Sequence, residues 1–129
     1  MDHISHLIST MTTIAGAGKR DFEVASNKLI RAILLTLEKE GYLKVVEDKN
    51  SKDPKTLRAV LSSDASGKAK IHGAERVSKF SKRIYSASAS LGGRRARSGS
   101  LVVSTSRGVM TGREAAAARV GGEILFEIW

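Results

Sequence analysis

The amino-acid sequence predicts an α+β fold in two small lobes: an N-terminal helix–strand–helix–strand–strand lobe, residues 1–66, and a mostly β C-terminal lobe with one short helix, residues 67–129. Two stretches in the first third of the chain repeat apolar residues at the helical 3.6-residue period. Behind them, two short apolar runs flank a polar connection, the pattern of a β-hairpin. Beyond residue 67 the chain is poorer in apolar residues, which come in short runs between Ser- and Gly-containing turns.

Asp2 is the expected cap of the first helix, whose apolar face is Ile4, Leu7, Ile8, Met11 and Ile14. Ala15-Gly16-Ala17-Gly18 ends it, and Phe22-Glu23-Val24 is a short extended piece. Ser26 is the expected N-cap of the second helix, with Leu29, Ile30, Ile33, Leu34 and Leu37 on its apolar face and Gly41 as the left-handed residue past its end. Residues 42–47 and 57–61 pair across a polar loop containing Pro54, and residues 62–67 form a linker. In the second lobe, residues 68–78 and 83–86 are strands around the basic turn Lys79-Phe80-Ser81-Lys82. Residues 86–100 read as a loop with room for one short helical turn, and 101–105 as a strand. Thr111-Gly112-Arg113-Glu114 has capping-box spacing for an Ala-rich helix over 113–119, and a closing strand, 123–129, is entered through Gly121-Gly122.

Composition removes several classes of function. Cysteine is absent, which excludes a disulfide framework, a zinc ribbon and thiol catalysis. No apolar run approaches the roughly 20 residues needed to span a bilayer, so no membrane partner is expected. The N-terminus has no basic n-region or transit-peptide pattern, and synthesis and function are expected to share a compartment. His3 and His6 lie three apart on the first helix but lack a third ligand, so neither a metal nor any other cofactor is expected. The stretch from Ala15 to Arg20 follows a helix and lacks the hydroxyl of a phosphate-binding Walker loop. Ser100 follows Gly99 but has no glycine two residues later, and a small hydrolytic enzyme is the most distant of the functional alternatives.

Charge is informative because it is uneven. Residues 1–75 carry 12 basic and 10 acidic side chains, whereas residues 76–129 carry 10 basic and 3 acidic. From Arg76 to Arg113 there are nine Lys or Arg and no carboxylate. A field of one sign repels itself unless a polyanion neutralises it, and nucleic-acid phosphates are the usual partner.

Within that region lies Ser104-Thr105-Ser106-Arg107-Gly108, three hydroxyls, a cation and a glycine in succession. Hydroxyls donate to phosphate and ribose oxygens and accept from 2′-hydroxyls and base edges. With Thr111 and Glu114 assigned to the helix cap, all three hydroxyls are expected to be free for a partner. Tyr85, two residues after Arg83, shares a strand face with it, an arrangement suited to stacking on an unpaired base while the cation takes a phosphate.

The order of these motifs resembles the bacterial-type small-subunit ribosomal protein number eight, the uS8 family. The run from Ser104 to Thr111 followed by Gly121-Gly122-Glu123-Ile124 is the most specific part, joined by Arg76-Val77-Ser78-Lys79, Arg83-Ile84-Tyr85 and the stretch from Leu37 to Tyr42. The resemblance implies a structural protein, not an enzyme, that binds the central domain of small-subunit ribosomal RNA and supports its assembly. It implies cytoplasmic bacterial ribosomes, or organelle-encoded ones. The partners implied are that RNA and the neighbouring small-subunit proteins numbers five and twelve, without homo-oligomers. Repression of its own operon messenger is the alternative within the same resemblance. By position it implies RNA contact by Ser104, Thr105, Ser106, Arg107 and Gly108, with Tyr85, Arg83, Gly122 and Glu123 alongside. Lys79 joins them from the basic turn, and Ser26, Lys28 and Arg31 from the first lobe. Residues 87–97, carrying Arg94, Arg95 and Arg97, stand where the family usually has an acidic helix, which turns that surface toward phosphate.

Overall fold

The structure is a computed structural model that describes residues 3–46, 55–79, 81–93 and 99–129. The chain divides into two compact units, Met1–His72 and Gly73–Trp129. The expected cap Asp2 and the loop containing Pro54 lie outside the described residues.

The first unit is two helices on a three-stranded antiparallel sheet. Helix α1 (His3–Gly16) buries Ile4, Leu7, Ile8 and Met11, the spacing of one helical face. Strand β1 (Asp21–Ala25) follows, then α2 (Lys28–Lys39), β2 (Leu43–Val46) and β3 (Thr56–Leu61), with β3 between the other two. The register sets Phe22 opposite Ala59 and Leu43 opposite Leu61, so these side chains share the buried face. Asp21 and Arg58 lie on the other face, paired at 2.6 Å and more than half exposed, a contact worth little to stability.

Helix α2 departs from expectation at two places. Its N-cap is Asn27, whose Oδ1 accepts from the Ile30 N–H at 2.8 Å. Ser26 is held in the extended chain because its N–H donates to the Lys55 carbonyl at 2.7 Å, so the cap falls one residue later. Leu29 is 39% exposed, while Ile30, Ile33, Leu34 and Leu37 are buried as expected. At the far end Gly41 adopts φ 85°, its N–H donates to the Glu38 carbonyl, and that of Tyr42 to Leu37. This is a Schellman closure, at a conformation that penalises any residue with a Cβ.

Residues 62–67, the expected linker, belong to the first unit. There the Asp64 carboxylate accepts from the Ser66 hydroxyl at 2.6 Å, the Ser66 N–H at 2.9 Å and the Lys68 N–H at 3.1 Å. The Ser66 hydroxyl is the main reason that the Asp64 carboxyl lies below its ordinary pKa.

The second unit is organised on its last strand. Its elements are β4 (Ala74–Arg76), β5 (Tyr85–Ser86), α3 (Ser88–Gly93), β6 (Ser100–Thr105), β7 (Gly108–Thr111), α4 (Gly112–Ala117) and β8 (Gly122–Ile128). The sheet order is β4-β8-β6-β7, and β5 also pairs with β8. The strands around the basic turn therefore pair with β8 in succession instead of forming one long hairpin with each other. An isolated bridge between Lys79 and Lys82 closes that turn. Residues 68–73 form no strand, and the unit has two short helices among its described residues where one was expected. Leu91 explains why the helical turn allowed within 86–100 forms as α3: it is 1% exposed and joins Leu101, Val103, Ala115 and Ile124 in the core.

The C-terminal helix is capped as its spacing predicts. Thr111 Oγ1 accepts from the Glu114 N–H at 3.2 Å, and Glu114 Oε1 accepts from the Thr111 N–H at 3.3 Å. Its far end closes like α2, but with Arg119 at φ 57° where glycine is favoured.

Candidate nucleic-acid interface

Strands β6 and β7 pair Ser104 with Val109 and Thr105 with Gly108, which leaves Ser106 and Arg107 as a two-residue tip. Thr105 builds this turn. Its Oγ1 accepts from the Arg107 N–H at 3.1 Å and donates to the Gly108 carbonyl at 2.7 Å. Gly108 follows at φ 113°, a backbone state that a side chain would strain. The expectation of three free hydroxyls is thereby corrected to two. Ser104 and Ser106 make no side-chain hydrogen bond among the described residues, whereas the Thr105 hydroxyl is used in both its roles by the turn itself.

The register of β8 brings the other candidates to the tip. Ser104 lies opposite Glu123, and Glu123 opposite Tyr85, so directly paired residues run Tyr85, Glu123, Ser104, Val109 across four strands. Directly paired side chains share a face, and two strand spacings separate Tyr85 from Ser104 by about 10 Å. Tyr85 is 66% exposed, presenting an aromatic ring to solvent. Arg83 Nε lies 4.0 Å from Glu123 Oε2, close enough to offset the carboxylate in a row that is otherwise neutral. The arrangement offers a stacking surface, a carboxylate acceptor and the Ser104 hydroxyl in one row, with Ser106 and the Arg107 cation on the adjoining hairpin tip.

Gly122 makes this register possible. A Cβ there would lie 2.2 Å from the Ser104 carbonyl oxygen, so no other residue fits without moving the strand. Gly121 is similarly crowded by the Ser86 carbonyl. A β-bulge between Val102 and Val103 resets the pairing so that Ser104 meets Glu123.

Lys79 and Lys82 are exposed on the tight turn before β5, their backbones joined by hydrogen bonds of 2.9 and 3.0 Å. Buried Ser78 fixes that turn: its hydroxyl accepts from the Ile84 N–H at 2.8 Å and meets the Ile84 carbonyl at 3.3 Å. From sequence, Lys82 falls within the basic turn and Ser78 within a motif, but neither is assigned a role at the interface. Ser26, Lys28 and Arg31 belong to the first unit. Lys28 and Arg31 are exposed and three apart on α2, on one helical face, and Ser26 is half-buried before it. Arg94, Arg95 and Arg97 lie outside the described residues.

Among the described residues no three His, Cys, Asp or Glu converge as metal ligands, and no helix is long and apolar enough to cross a membrane. Fold and site together define a small basic α+β protein in two units, with its polar groups arrayed on a sheet and a hairpin tip. The sequence profile of the family described as Ribosomal protein S8 matches residues 2–129. The chain is 34% identical over 128 residues to the small ribosomal subunit protein uS8 of Treponema pallidum, covering 99% of this chain and 97% of that one. With the uS8 protein of Campylobacter lari it shares 36% identity over 130 residues, covering 98% and 99%, and with that of Nautilia profundicola 36% over 125, covering 92% and 93%. The chain belongs to the ribosomal protein S8 family, a family of structural proteins and not of enzymes.

Proposed function

We propose that this chain is a structural constituent of the bacterial small ribosomal subunit, in the cytoplasm, that binds the central domain of the small-subunit ribosomal RNA and supports its assembly. The observation that carries the reading is the row Tyr85, Glu123, Ser104 with Ser106 beside it, in which the two serine hydroxyls make no hydrogen bond among the described residues. RNA minor grooves present 2′-hydroxyls and base edges, and irregular stems expose unstacked bases for an aromatic ring. Ser104 and Ser106 supply donors and acceptors, Glu123 accepts from 2′-hydroxyl or base amino groups, and Tyr85 stacks. Thr105, Gly108 and Gly122 hold the geometry. Arg83, Arg107 and Lys79 pair with phosphate, as do Arg94, Arg95 and Arg97 by their charge. Ser26, Lys28 and Arg31 add a contact from the first unit, and small-subunit proteins numbers five and twelve are the protein neighbours.

Filter binding of the full chain to an irregular RNA stem and to a plain duplex tests this. Replacing Ser104 and Ser106 together by alanine is expected to erase most of the preference for the irregular stem. Arg107→Ala is expected to weaken both complexes alike and to lower the salt slope by about one. Unchanged discrimination in the double serine variant would remove the hairpin tip from the interface.

A further inference from the structure

The first unit holds a cleft of about 410 Å³ between the end of α1 and the segment after β3, remote in sequence from the hairpin tip. Its floor is Ala15 and the buried Ile71. Lys19, Arg20, Lys68 and His72 line it, and among the described residues no carboxylate does. Gly18 turns the chain at φ 73°, and the Lys19 N–H closes back on the Ile14 carbonyl at 3.0 Å, which sets Lys19 and Arg20 beside the helix end. Arg20 Nη2 meets the Gly67 carbonyl at 3.4 Å and so ties the two walls together.

The dipole at the end of α1 explains cations at Lys19 and Arg20, but not Lys68 and His72 arriving from another segment. The acidic residue of that segment, Asp64, is engaged in its own loop with Ser66 and the Lys68 N–H, and His72 is the smallest of the influences that hold its carboxyl below the ordinary pKa. At Gly16 and Gly18 an added Cβ would meet nothing within 4 Å, so the mouth is open over bare backbone.

We propose that this cleft receives one unpaired nucleotide of the bound RNA, its base or ribose against the Ala15–Ile71 floor and its phosphate at the Lys19, Arg20 and Lys68 rim. The proposal rests on the RNA-binding reading above. The volume falls within the ~300–1,000 Å³ of small-ligand sites, and an apolar floor with a cationic rim matches the two chemical halves of a nucleotide. An acidic protein segment would use the rim but leave the floor without a flat partner.

The test uses the full chain, small-subunit ribosomal RNA and two variants. Replacing Lys19, Arg20 and Lys68 together by alanine is expected to lower the salt slope by about one, the share of a single phosphate, and to weaken binding tenfold or more at moderate salt. Ala15→Leu fills the floor without touching charge, and leucine suits a helix. It is expected to weaken binding several-fold with the slope unchanged. If Ala15→Leu binds like the wild type, the cations act as a diffuse field and no nucleotide enters. An unchanged slope in the triple variant, or a loss seen only when other ribosomal proteins are present, also overturns the proposal. Absence of salt-dependent binding by the wild-type chain would instead sink the RNA reading itself. Silent cleft variants beside a responsive Ser104 and Ser106 variant would sink only the cleft.

Discussion

Two turns in this molecule are built by the same chemistry and end differently. At residues 64–67 a short polar side chain, Asp64, accepts the N–H two residues on, and a glycine with positive φ follows. At residues 105–108 Thr105 accepts the N–H two residues on, and again a glycine with positive φ follows. Each turn also contains a serine. Ser66 turns inward and donates its hydroxyl to Asp64 at 2.6 Å. Ser106 faces solvent at the hairpin tip, where Thr105 donates to Gly108 and accepts from Arg107. The charged carboxylate, with several lone pairs, takes the neighbouring hydroxyl as well as two N–H groups, whereas the neutral threonine oxygen gives its proton to Gly108 and, among the described residues, accepts only from the Arg107 N–H. The first turn is a closed polar unit, and the second leaves its serine for something outside the chain.

The change with the largest expected effect attacks what only the second turn depends on. Gly122→Ala drives a Cβ against the Ser104 carbonyl oxygen, which cannot retreat without breaking the β6–β8 ladder. A loss of about 3 kcal/mol is expected, the upper end of ordinary overpacking, read by chemical denaturation. A cost under about 0.5 kcal/mol would mean that the tip does not rely on the register of β8. Next comes Thr105→Val, which keeps the β-branch and removes both hydroxyl bonds of the turn. It is expected to cost about 1 kcal/mol and to weaken RNA binding, because the tip that carries Ser106 and Arg107 loosens. Smaller still is Ser106→Ala, expected within about 0.5 kcal/mol of wild type in stability while lowering preference for an irregular stem. A clear loss of stability there would show that Ser106 belongs to the turn after all.

How much of this could be read from sequence follows from how local each determinant is. The buried face of α1, the closure at Gly41 and the Thr111–Glu114 box all rest on spacings of a few residues, and all stand as expected. The choice between Ser26 and Asn27 as cap was not legible, because both are good caps. A backbone bond from Ser26 to Lys55, far along the chain, decides it. The row joining Tyr85, Glu123 and Ser104 was not legible either. It depends on β8 being shared by β4, β5 and β6 and on a bulge at Val102, neither of which leaves a periodic trace. The hydroxyl run drew notice as a cluster, but its composition is silent on which member closes the turn. That is settled by hairpin register, which makes Thr105 the last paired residue before the tip.

The smallest expected effect separates the two turns by acid. Asp64 is held below its ordinary value of 3.8, first by the Ser66 hydroxyl and then by the Lys68 and Ser66 N–H groups, against a desolvation that acts the other way. A depressed folded-state pKa means that its contribution is present above about 3.8 and is lost as pH falls through the lower folded value. The Thr105 turn has no titrating group and keeps its bonds throughout. Protection of the Ser66 and Lys68 amides, measured against their intrinsic exchange rates, is therefore expected to fall on acidification while that of Arg107 does not change. Ser66→Ala removes the largest support of the ionised carboxyl, so the first turn should then loosen at a higher pH than in the wild type. Simultaneous loosening of Arg107 would mean that acid opens the fold as a whole, and the contrast between the turns would not survive.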